Sequence, residues 1–94
     1  MIQLDDYIID VLMRDLVGHD RHIVSFLVYL WFAAESRKGK TVDASYRHIA
    51  ESIGISKSSA QAAVAWLIQR KLLASSKKTA TATPRYKVLT PWRR

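Results

Sequence analysis

The chain has 94 residues and no cysteine, and 49% of it is hydrophobic and 10% aromatic. That apolar content suits one small folded domain and excludes a wholly disordered chain. The lack of thiols excludes a disulfide framework, a thiolate zinc site and a cysteine nucleophile, and fits a reducing, cytoplasmic setting.

Charge is divided sharply along the chain. Residues 1–35 hold six of the eight acids against Arg14 and Arg21, a net of −4, whereas residues 36–94 hold thirteen bases against Asp43 and Glu51, a net of +11. The C-terminal half is therefore the candidate polyanion-binding face; the plain alternative is that the bases only keep a small domain soluble. The start, MIQLDD, is acidic. The longest apolar stretch, Ile23 to Ala34, falls well short of the ~20 residues that span a bilayer, so neither a signal peptide nor a membrane helix is expected.

Residues 1–19 read as an N-terminal helical extension. Asp5 or Asp6 can cap it, Leu4, Tyr7, Ile8, Val11, Leu12 and Leu16 recur at three- and four-residue steps, and Gly18 offers a stop. Asp20 can cap a second helix from Arg21 to about Glu35, whose Ile23, Val24, Phe26, Leu27, Val28, Leu30, Trp31 and Phe32 fall on nearly every side. A helix apolar all round must be covered all round, by the rest of the domain or by a second copy of the chain. A polar turn, SRKGK, leads to Thr41-Val42, a candidate short strand. Ser45 caps a third helix, Tyr46 to Ile53, with Gly54 placed for a positive φ, and Ser56 caps a fourth running to about Lys71. Leu72 to Ser76 and Arg85 to Leu89 read as two strands joined by KKTATATP, a hairpin with a long basic tip.

From Tyr46 to Ala65 the sequence YRHIAESIGISKSSAQAAVA sets the small Ala50 where two helices cross and Gly54 where the chain turns, with Ile49, Ile53, Ile55, Ala60 and Ala63 as the shared core. This segment resembles the helix-turn-helix of DNA-binding proteins. With an apolar helix and a short strand before it and a strand-wing-strand after it, residues 20–90 resemble the winged helix-turn-helix of bacterial and phage transcriptional regulators and replication-initiator modules. The resemblance implies an α+β, mostly α, winged helix-turn-helix: one domain over 1–94, with the helix-turn-helix at 45–71, the wing at 72–90 and 1–19 as an added helix. It also implies sequence-specific binding of double-stranded DNA, commonly as a homodimer, without catalysis or a cofactor.

In that arrangement the fourth helix enters the major groove. Lys57, Ser58 and Ser59 stand at its N-terminus, where hydroxyls, amides and charge meet phosphate; helix capping and ordinary surface are the plain reading. Gln61 can pair with adenine and Ala62 can touch a thymine methyl, although both are also good helix surface. Arg47 would reach backbone from the preceding helix, and the wing bases Lys77, Lys78, Arg85 and Lys87 would reach flanking DNA. The chain departs from the family pattern at Ala62, Ala65 and Trp66, where relatives often carry Arg or Lys. The competing reading is that Trp66 with the two alanines forms an apolar patch that binds protein. A DNA-binding module in replication initiation or plasmid maintenance is a further alternative.

No catalytic constellation is visible. His19 and His22 straddle a helix start with no third ligand in reach, His48 falls within the helix pair, and neither a glycine-rich phosphate loop nor a nucleophile elbow occurs. The N-terminal helix and the all-round apolar helix are the expected dimer interface.

Overall fold

The computed structural model describes residues 6–19, 22–36, 41–77, 79 and 82–91. The chain opens with two wide helical segments, Ile8–Leu12 and Arg14–His19, bonded in the i→i+5 manner of a π-helix; the Met13 amide, for example, donates to the Ile8 carbonyl. Each turn then holds more residues than an α-turn, so the four-residue steps Ile8, Leu12 and Leu16 stay on one buried face. The three-residue step to Val11 rotates outward, leaving it 36% exposed where α-helical spacing places it inside. Gly18 does not end the segment, which runs through it to His19. Leu4 and Asp5 lie outside the described residues.

Helix α1 spans Ile23–Glu35. It starts two residues later than the spacing predicts, with His22 as its N-cap residue and no side-chain cap bond; Asp20 and Arg21 lie outside the described residues. Helix α2 covers Tyr46–Ile53 and helix α3 covers Lys57–Gln69. Both begin as expected: Ser45 Oγ accepts from the His48 amide and Ser56 Oγ from the Ser59 amide, each at 3.1 Å. Both end in a left-handed residue. Gly54 (φ 88°) closes α2, with its own amide and that of Ile55 both donating to the Ala50 carbonyl. Lys71 (φ 62°) closes α3, where the Leu72 amide bonds the Leu67 carbonyl and the Lys71 amide that of Ile68.

Three short strands complete the fold: β1 Val42–Asp43, β2 Leu73–Ser76 and β3 Arg85–Val88, antiparallel in the order β1-β3-β2. Strand β1 sits one residue beyond the expected Thr41-Val42, because Val42 faces Tyr86 on the buried side and Asp43 faces Arg85 on the outer side. Strand β2 begins at Leu73, not Leu72, since the Leu72 amide is used to close α3. Leu89 lies past β3, yet its amide still reaches the Leu72 carbonyl at 3.0 Å.

The core is one cluster in which α1 is central. Its Phe32 ring packs against Tyr86 of β3 with centroids 5.0 Å apart, and the Tyr29 hydroxyl donates to the Leu89 carbonyl at 3.0 Å. On its other sides α1 meets Ile49 and Ala50 of α2, Ala60, Ala63, Val64 and Leu67 of α3, and the Ile8, Leu12 and Leu16 face. Cover is nevertheless incomplete: Ile23, Val24 and Leu27 are 55%, 37% and 42% exposed. Tyr86 is 1% exposed, and burial, with Tyr46 beside it, pushes its phenol well above the usual tyrosine range. The result is a small, mostly helical α+β fold.

The two left-handed caps make opposite stability predictions. A Cβ on Gly54 would meet nothing within 4 Å, so Gly54→Ala is expected to cost about 1 kcal/mol through backbone strain alone. Lys71→Gly is expected to gain about 0.5 kcal/mol by relieving the same strain. Urea denaturation of the two variants beside the parent checks both signs.

Candidate nucleic-acid interface

Helix α3 turns Ala60, Ala63, Val64 and Leu67 inward. The 3.6-residue period then sends Ser58, Gln61, Ala62, Ala65, Ile68 and Gln69 outward, and all of these are exposed. This outward face carries no charge. Cations stand at its two ends, Lys57 at the start and Arg70 with Lys71 at the finish, all exposed. At the N-terminus the Ser56 hydroxyl lies 3.2 Å from that of Ser58 and donates to that of Ser59 at 2.8 Å, so the three serines form one hydroxyl cluster. Ser59, expected on the surface with Ser58, is half-buried.

The remaining candidates divide by partner. Arg47 is exposed on α2 and is held by Glu51 one turn on, Nε to Oε1 at 3.0 Å. Arg85 points from the outer face of β3 onto Asp43 of β1, with Nε to Oδ1 at 2.8 Å and Nη2 to Oδ2 at 3.3 Å. The hydrogen bond and charge of Asp43 raise the Arg85 pKa further above its usual value. Lys77 and Lys87 are exposed, Lys87 beside Arg85 on the outer face of the hairpin. Lys78 lies outside the described residues. A hollow of about 310 Å³ at the hairpin tip brings Lys77 and Arg85 together with Asp43, Ser76 and Thr83.

The carboxylate partners were the features that sequence reading missed. Glu51 follows Arg47 by four residues, a spacing that on a helix already signals a pair. Asp43 stands 42 residues from Arg85 and meets it only through strand register. Both pairs are solvent-exposed, so each lowers local charge more than it stabilises the fold.

Trp66 does not stand open beside Ala62 and Ala65. It is half-buried, with the His22 ring stacked on it at 4.1 Å between centroids and the Arg70 guanidinium 5.1 Å from its centre. His48 is exposed, and its ring meets Trp31 edge-on at 5.6 Å. The His19 side chain lies outside the described residues, and His22 is stacked against Trp66.

The chain matches no family model, and neither a curated protein nor a solved structure matches it.

The His22–Trp66 contact joins the start of α1 to α3. A double-mutant cycle with His22→Ala and Trp66→Leu, read by chemical denaturation, is expected to return a coupling energy of about 1 kcal/mol. Additive losses would mean that the rings touch without stabilising. Asp43→Asn is expected to change stability by less than about 1 kcal/mol by the same measurement.

Proposed function

We propose that this protein binds double-stranded DNA as a winged helix-turn-helix domain, acting as a prokaryotic or phage transcriptional regulator. The observation that carries this reading is an arrangement: α2 and α3 joined through the Gly54 turn, beside an antiparallel β1-β3-β2 sheet whose β2–β3 hairpin bears Lys77, Arg85 and Lys87. A helix pair of this kind offers its second helix to the major groove, and the hairpin serves as the wing.

In this reading α3 contributes shape more than charge. Its outward alanines let the helix approach the base edges closely, with Gln61 set to pair with adenine and Ala62 against a thymine methyl. Lys57 and Ser58 meet phosphate at the helix start, and Lys77 and Lys87 meet it from the hairpin. Arg47 and Arg85 reach backbone only in competition with Glu51 and Asp43. The arrangement of Trp66 favours DNA over a protein-only partner, since both His22 and Arg70 already engage its ring. A role in replication initiation or plasmid maintenance would use the same contacts.

Duplex binding is tested by fluorescence anisotropy with a random-sequence duplex over a salt series. Affinity is expected to fall steeply with salt, and Lys77→Ala and Lys87→Ala are each expected to lower the log–log slope by about 0.9. Asp43→Asn, which releases Arg85, is expected to raise affinity at low salt. No binding at low salt would end the DNA reading.

The uncovered side of α1 is proposed as the homodimer seam. The exposed Ile23 and Leu27 and the half-buried Leu30 and Ala34 follow one another at four- and three-residue steps without a charge among them, the spacing with which one helix packs against its two-fold mate. Sedimentation is expected to give a dimer that Leu27→Asp converts to a monomer of unchanged helicity. A parent that stays monomeric at high micromolar concentration would remove the seam.

A further inference from the structure

A side chain distinguishes bases by what it offers to their major-groove edges. Guanine is read by the donors of Arg or Lys, cytosine by the acceptors of Asp or Glu, adenine by the amide of Asn or Gln, and thymine by apolar contact with its methyl group. The exposed residues that α3 turns outward are Ser58, Gln61, Ala62, Ala65, Ile68 and Gln69. Ser58 can meet any pair; the others include readers for both bases of an A·T pair and for neither base of a G·C pair. This holds along the whole outward face, so it does not depend on how much of α3 enters the groove.

The charged and aromatic groups at the borders of that face are otherwise placed. Arg70 stands over the Trp66 ring, 5.1 Å from its centre, and His22 is stacked on the same ring at 4.1 Å between centroids. Lys57 is the first residue of α3, beside Ser58, where the helix start meets phosphate. Gln61, in contrast, is exposed and has no hydrogen-bond partner among the described residues. Its neighbours on the outward face, Ala62 and Ala65, carry nothing beyond Cβ and leave room for its amide to lie in the plane of a base. From Gln61 to Ala65 the helix rises about 6 Å, a length that covers about two or three base pairs at 3.4 Å each.

We infer that the duplex this protein selects is A·T-rich where α3 enters the major groove, with an adenine against Gln61 and thymine methyls against Ala62 and Ala65. The inference rests on the DNA reading and adds to it the composition of the site. A G·C pair at these positions would present donors and acceptors that no outward side chain answers, and displacing their water without replacing its bonds costs affinity.

The test is selection of bound sequences from a random duplex pool by the full chain, followed by anisotropy on the selected duplex. The parent is expected to return a motif with a run of two or three A·T pairs, and Gln61→Ala to bind the selected duplex roughly tenfold more weakly, the size of one lost base contact. Gln61→Arg is expected to return the same motif with guanine in place of one adenine. Lys57→Ala is expected to weaken binding and leave the motif as it was. A parent motif of G·C pairs, or binding without any enriched motif, overturns the inference while DNA binding stands. An A·T motif that both Gln61 variants leave unchanged also overturns it, because duplex shape and not α3 would then be selecting the site. If no duplex binds at low salt, the DNA reading itself falls and the inference with it.

Discussion

Helix α1 is too apolar to tolerate water on most of its circumference, and satisfying it organises the whole fold. Phe32 and Tyr29 dock it on the sheet through Tyr86 and the Leu89 carbonyl. Its other sides take the α2–α3 pair and the Ile8, Leu12 and Leu16 stripe. The sheet and the helix pair thus do not pack as separate layers; each is positioned by its contact with α1. Phe32 and Tyr86 meet in the middle of the core, and the Leu72 amide bonded to the Leu67 carbonyl ties the hairpin directly to the end of α3, so both contacts set the hairpin beside that helix.

Charge and shape are distributed over this frame in an unusual way. The outward face of α3 is neutral, and the bases stand at its ends, on α2 and along the hairpin. Two of the cations are partly neutralised by carboxylates of their own half, Arg47 by Glu51 and Arg85 by Asp43. Under the proposed DNA reading, long-range attraction for a polyanion would come from the +11 excess of residues 36–94 as a whole, while close contact would fall to hydroxyls and an amide side chain. Such a division separates the force that gathers the partner from the groups that orient it.

Local signals carried much of the fold. Ser45, Gly54 and Ser56 place the ends of α2 and the start of α3 because caps and left-handed turns depend on a few adjacent residues. The structure differs from the local signals where a distant strand partner or an alternative backbone bond decides an element's bounds. Strand β1 moved by one residue to satisfy Tyr86 and Arg85, β2 lost Leu72 to the closure of α3, and π-type bonding turned Val11 out of its expected stripe. Of the interface, the exposed Lys57, Ser58, Gln61 and Ala62 were readable from helical period alone. The half-burial of Ser59 and the ion pair on Arg85 were not.

The sequence by itself determined that this chain folds as one small, mostly helical domain with a basic half, and where its central helices cap and turn, since composition and near-neighbour chemistry suffice for that. Only the tertiary structure decided what surrounds Trp66, which arginines are tied to carboxylates, and which residues of α1 stay exposed. Those outcomes depend on groups tens of residues apart being brought within a few ångströms, and periodicity carries no information about that.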